Sequence, residues 1–232
     1  DGNKIKQIIK LNSPAVVLVA DTTFFSRTHG LTVFREPNLK RNIWWKQVVR
    51  EGSETYYLGR KHLESSGLVI KAVVLDGRRG VREVFRDIPV QMCHFHQKQI
   101  IIRYLTTRPK LDASHELREI VHTLVDTNED ELSLKLARWQ EKWNSFLKQK
   151  TTSPETGRWF YTHKRLRSAY RSLKNNLPYL FTYQRYPELR IPNTTNSLDG
   201  FFNRLKSLLN VHRGLSPKRR TNIIIEILKG RE

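Results

Sequence analysis

A mixed α/β sheet flanked by helices, interrupted by an all-helical insertion, is the fold class this sequence predicts. Three observations carry it. Two apolar runs, at 15–24 and 68–76, contain or end in an aspartate and have the continuous hydrophobicity of strands buried on both faces. Segments rich in β-branched and aromatic residues follow the first run, and helical patterns follow the second. From about Leu111 the apolar period becomes 3.6 residues, broken at "TTSPETG" (151–157) and at the proline-containing "YPELRIPN" (186–193).

The elements read in order as follows. "AVVLVADTTF" (15–24) is the first strand, expected to end in Asp21 and the threonines after it. "GLTVFREP" (30–37) and "NIWWKQVV" (42–49) complete a three-strand antiparallel meander. "SETYYLGRKHLESSG" (53–67) is a helix with Ser53 as cap, Tyr56, Tyr57 and Leu63 on its apolar face, and Gly67 as its stop. "LVIKAVVLDGRRG" (68–80) is a buried strand ending at Asp76. "VREVFRD" (81–87) is a short helix, "PVQMCHF" (89–95) a last strand, and "QKQIIIRYLTTR" (97–108) the helix after it. The order β-β-β-α-β-α-β-α implies one sheet with an antiparallel half and a parallel half.

Leu132, Leu136, Trp139, Trp143 and Phe146 share one face of a long helix, and "HKRLRSAYRSLKNN" (163–176) is a basic helix. A final helix begins near Thr195, with Leu198, Phe201, Phe202, Leu205 and Leu209 on its apolar face. The expected organisation is the first part of a core domain over 1–110, an all-helical insertion over 111–190, and the returning core with a basic C-terminal segment over 191–232. Trp44, Trp45 and Trp159 are expected in packing rather than on a stacking surface.

The 232 residues carry 42 Lys and Arg against 22 Asp and Glu, a net charge of +20. That excess favours a polyanionic partner, nucleic acid first. No run approaches the roughly 20 apolar residues of a membrane-spanning helix, so no membrane role is expected. Cys93 is the only cysteine, which excludes an intramolecular disulfide and a zinc finger and fits a reducing intracellular compartment.

Asp21 and Asp76 each follow a buried strand. If the strands are neighbours, the two carboxylates point into one crevice at the strand ends, where open α/β sheets place ligands. Two such acids repel each other, and a divalent cation such as Mg²⁺, with its preference for hard oxygen ligands, removes that cost. Two ions about 4 Å apart can activate a water and stabilise the leaving oxygen of a phosphodiester. Asp199, on the final helix, is the candidate third acid. Each acid also has a local reading. Asp21 terminates a strand, Asp76-Gly77 makes a hairpin turn, and Asp199, three residues after Asn196, belongs to a capping box. Asp199, Asn203 and Lys206 form a polar stripe on that helix. Arg78, Arg79, Lys206, Arg213, Lys218, Arg219 and Arg220, with Lys164, Arg165, Arg167 and Arg171 on the insertion, are candidate phosphate contacts.

The succession "VADTTF", "VVLDGRRG", "CHFH" and "TTNSLDGFFNRLK" resembles the catalytic core of DDE transposases of the Mutator type, which have a ribonuclease-H-like fold; the resemblance covers nearly the whole chain. It implies that Asp21, Asp76 and Asp199 are the catalytic, metal-binding acids of a site taking Mg²⁺ or Mn²⁺. It implies that Cys93 and His96, the family's Cys-x-x-His pair, support that site. It further implies cleavage of transposon ends, strand transfer into target DNA, and a homodimer or larger assembly on DNA. The compartment would be the cytoplasm or nucleoid of a bacterium, or the nucleus of a eukaryote. A module that recognises element ends is not evident and is expected upstream of Asp1. The family normally has glutamate where this chain has Asp199. The shorter side chain raises the alternative of a catalytically impaired, transposase-derived DNA-binding protein. A nuclease of the same fold is the other alternative.

Overall fold

The run Val16–Ala20 has no polar side chain, so it can lie only between two covering layers. In the computed structural model, which describes residues 14–211 and 214–229, that run opens β1 (Ala15–Ser26), the middle strand of a five-stranded sheet. β2 (His29–Glu36) and β3 (Arg41–Val48) form the antiparallel meander with it. β4 (Val69–Leu75) and β5 (Val90–Met92) lie parallel on its other side. The strand order is β3-β2-β1-β4-β5, a mixed sheet with helices on both faces.

Alternation along β1 sorts the two layers. Val16, Leu18 and Ala20 face a core completed by α1 (Ser53–Ser65) and α2 (Arg79–Val84). Val17 and Val19 face the opposite core, closed by α8 (Asn196–Val211) and α9 (Pro217–Leu228). The predicted apolar face of α8 is the buried one: Leu198, Phe202, Leu205 and Leu209 pack there, with Phe201 half-buried.

The first helix departs from expectation at its start and on one face. Ser53 is already helical, Gly52 holds the cap position without a side-chain bond, and Tyr57 is exposed while Tyr56 is buried. Its end is as read. Gly67 has φ +82°, its N–H donates to the Glu64 carbonyl (3.0 Å), and the Leu68 N–H donates to that of Leu63 (3.1 Å). These are the paired bonds of a Schellman stop.

Gly59 sets how close α1 lies to the sheet. A Cβ there would stand 2.8 Å from the rings of both Phe34 and Trp44. Gly59→Ala is therefore expected to destabilise the protein by about 1–3 kcal/mol, despite the better helix propensity of alanine. A thermal melt of the variant checks this; a midpoint at or above wild type would show that the rings can move aside.

Between α3 (His94–Leu105) and α8 the chain forms α4 (Asp112–His122), α5 (Glu129–Leu147), α6 (Lys164–Leu180) and the single turn α7 (Thr182–Arg185). Leu117, Leu132, Leu136, Trp139 and Leu173 make a core shared with Ile101 and Leu105 of α3, and Trp143 and Phe146 pack against it half-buried. The expected all-helical character does not hold throughout. β6 (Lys150–Thr152) and β7 (Trp159–Tyr161) form a small antiparallel hairpin between α5 and α6. Trp159 is exposed there with Lys150 Nζ 3.8 Å from its ring centre, so it is surface rather than packing. Trp44 is buried and Trp45 half-buried, as expected. Among the described residues no helix is long and apolar enough to cross a membrane.

Candidate metal centre

The parallel pairing of β1 with β4 ends at Val19 opposite Val74, one residue before β4 itself ends at Leu75. Two residues further on, Asp21 comes level with Asp76. Asp21 does not end its strand, as the sequence reading had it: β1 runs on to Ser26, still paired with β2. It marks the point where β1 loses its parallel neighbour and its edge opens. Asp76 does stand at a strand end, but Asp76-Gly77 is no hairpin turn, because the chain passes into α2 and returns as the parallel β5.

A third acid arrives from a place the sequence reading missed. Two antiparallel reversals make β3 run in the same direction as β1, so the loop after β3 returns to the edge that carries Asp21 and Asp76. Glu51 lies in that loop. Oxygens of Asp21, Glu51 and Asp76 all lie within 4.8 Å of one another. Asp21 is buried, and Glu51 and Asp76 are half-buried. The signal was available: an acid just after the third strand of a meander, at the same sheet edge as the strand-borne aspartates.

The surroundings hold the three in place. Tyr56 donates to Glu51 Oε1 (2.8 Å), and the Tyr56 hydroxyl meets that of Thr22 (3.2 Å). The Thr22 N–H donates to Asp21 Oδ1 (2.8 Å). Arg78 bridges the other two acids, pairing with Glu51 Oε2 at 2.9 Å and Asp76 Oδ2 at 3.2 Å.

Electrostatically the centre is under stress. Burial pushes Asp21 up to about 7; His96 and the Thr22 N–H act against this, and Asp76 and Glu51 add to it. Glu51 is also raised, by burial first, with the Tyr56 bond and Arg78 opposing. His96 is the counter-charge. Burial acts to lower it, but its bond to Cys93 and the charges of Cys93, Asp21 and Asp76 together raise it to about 9. Burial likewise acts to raise the Cys93 thiol, and its bonds to His96 and Thr195 outweigh that and hold it below the ordinary thiol value.

Asp199 stands outside the trio and joins it through intermediaries. Thr195 precedes α8, and its carbonyl accepts the N–H of Leu198 (2.8 Å) and of Asp199 (3.0 Å). Asn196 is itself helical, so the capping-box reading of Asn196 and Asp199 does not apply. The Thr195 hydroxyl donates to Asp199 Oδ2 (2.9 Å) and lies 3.3 Å from Cys93 Sγ and 3.5 Å from His96 Nδ1. The buried Thr195 thus ties the α8 acid to the Cys93–His96 pair, and His96 faces Asp21 and Asp76. Alternation along β1 also turns Asp21 to the face that packs on α8.

Of the candidate phosphate contacts, Arg78 lies inside the acidic cluster, and exposed Arg79 opens α2 beside it. Lys206 is half-buried on α8; Lys218, Arg219 and Arg220 form the first turn of α9. Arg213, with His212, lies outside the described residues. Arg167 is occupied, stacked over Tyr161 and donating to the Leu147 carbonyl (2.7 Å). No protein-family model matches the chain, and no curated protein matches it.

Proposed function

We propose that this chain is the catalytic core of a DNA transposase, carrying out metal-dependent cleavage at transposon ends and strand transfer into target DNA. The observation that carries the reading is the meeting of Asp21, Glu51 and Asp76 at the open edge between two parallel strands, in a chain of net charge +20. The strand order β3-β2-β1-β4-β5, with a helical segment before the helix that bears Asp199, supports a ribonuclease-H-like core with an insertion.

The donor set fits a hard divalent cation such as Mg²⁺ or Mn²⁺: all oxygen, closely spaced, and costly to ionise without a counter-charge. Asp21, Glu51 and Asp76 would hold it, with Asp199 approaching from α8. Such a cation supplies an activated water and stabilises charge on the leaving oxygen. The chain's own groups bind and orient. His96 sets a positive charge against the cluster, Thr195 fixes the Asp199 carboxylate, and Arg78 and Arg79 anchor phosphate beside Asp76. Water attack at a phosphodiester frees a 3′-hydroxyl at the element end and leaves a 5′-phosphate on the flank; that hydroxyl would then attack a target phosphodiester and displace the target strand's 3′-oxygen. Assembly as a homodimer or larger complex would bring paired ends together.

A specific observation favours a second reading. Arg78 already pairs with both Glu51 and Asp76, as suits a catalytically silent DNA-binding descendant of such an enzyme. One assay separates the two. A pre-cut duplex end with a free 3′-hydroxyl is incubated with supercoiled plasmid and Mn²⁺. Wild type is expected to join them, and Asp21→Ala and Asp76→Ala are expected not to. Intact DNA binding without joining would establish the second reading; joining that survives both substitutions would refute the site.

A further inference from the structure

The acidic cluster opens on one side into a cleft of about 440 Å³ between the Asp76–Arg78 loop, α3 and α6. Asp76 and His96 stand at its mouth, and Arg103, Tyr104, Ser172 and Asn176 continue it. Pockets for small apolar ligands are lined mainly by apolar groups, yet among the described residues Ile100 is the only aliphatic side chain here. Its polar wall is built, not incidental: the buried Asn176 donates to Gln97 Oε1 (2.8 Å) and accepts from Arg82 (2.9 Å).

A second cavity, of about 430 Å³, lies beyond Tyr104, which lines both. Arg108, Lys110, Lys164 and Arg165 line it, and among the described residues no acid does. The two are joined at their walls, since Arg165 donates to the Arg103 carbonyl (2.7 Å). Tyr104 has 36% of its surface exposed and stands at the junction.

We propose that these two cavities form one track that carries a single nucleic-acid strand from the metal centre, past Tyr104, into the basic cavity of the helical segment. The proposal rests on the nucleic-acid reading above and adds the path and the strandedness. The requirements are those of single-strand binding: a groove of positive charge that follows the backbone and an aromatic face on which a base stacks. Arg103, Arg108, Lys110, Lys164 and Arg165 supply the charge, and Tyr104 supplies the face. The helical segment then has a task of its own: it holds the strand that flanks the scissile phosphate.

The test is metal-free binding of a fluorescent single-stranded oligonucleotide containing 5-iodouridine, so that cleavage plays no part. Tyr104→Ala and Arg103→Ala are each expected to weaken binding about tenfold, while Tyr104→Phe, which keeps the ring, binds as wild type. Arg108→Ala with Lys110→Ala is expected to flatten the salt dependence. Lys61→Ala, on the exposed side of α1, serves as control and leaves binding unchanged. Ultraviolet crosslinking is expected to label the peptide containing Tyr104. Wild-type affinity in the track variants, losses no greater than in the Lys61 control, or crosslinks confined to other peptides would each overturn the track. A protein that binds along the track but joins no DNA would instead count against the transposase reading alone.

Discussion

Asp21→Asn is expected to abolish DNA joining and, in metal-free buffer at pH 8, to raise the thermal midpoint by roughly 5–10 °C. Both effects come from one cause. Burial raises the Asp21 carboxyl from 3.8 to about 7 in the folded protein. Well below pH 3.8 it is protonated folded and unfolded, and burial costs no charge. As pH rises from 4 to 7 the unfolded chain loses the proton first, so stability falls throughout that window and levels off above it. A shift of this size corresponds to a few kcal/mol. Asparagine keeps the shape and removes the titration. The wild-type melting temperature should therefore fall between pH 4 and 7 more steeply than that of the variant, and Mn²⁺ at pH 8 should restore wild type and leave the variant unmoved. Equal pH profiles for the two proteins would show that the centre is not under charge stress.

Glu51→Gln is expected to lower Mn²⁺ affinity at least tenfold, on the order of the loss seen when close metal-site partners are removed, and to lower joining in proportion. Glutamine can still accept from Tyr56, so the loop should keep its place. What it loses is one negative charge of the three, and the ion pair that ties Arg78 to this side of the cluster. Isothermal titration with Mn²⁺ reads the change directly. Glu54→Gln, on the exposed first turn of α1, is the control and should titrate like wild type. If Glu51→Gln also titrates like wild type, Glu51 serves only to hold Arg78 and Tyr56, and the site is narrower than the geometry indicates.

The order of strands and helices over 15–105 was legible because each element differs sharply in period from its neighbours. Asp21 and Asp76 were legible for the same reason, since an acid at the end of an apolar run stands out. Glu51 was legible only through the topology of the meander, because it lies in "REGSET", which by itself reads as an ordinary polar loop. Only the direction of β3, a property of the whole meander, brings it to the edge with the aspartates. Thr195 was hidden for a different reason: its importance lies in bonds to Cys93, His96 and Asp199, two of them about a hundred positions away. The β6–β7 hairpin escaped because three-residue strands are shorter than the four to eight residues over which alternation can be read. Arg78 stands out in the sequence as a candidate phosphate contact, and its pairing with Glu51 and Asp76 comes from the fold.

The claim on which the rest depends is that Asp21 and Asp76 share a divalent cation. The direct measurement is anomalous scattering from a crystal soaked in Mn²⁺. The expected result is a peak between the carboxylates of Asp21 and Asp76, with Arg78 turned away and Glu51 or Asp199 completing the oxygen ligands. A soaked crystal with no peak there and Arg78 still bridging Glu51 and Asp76 would contradict it.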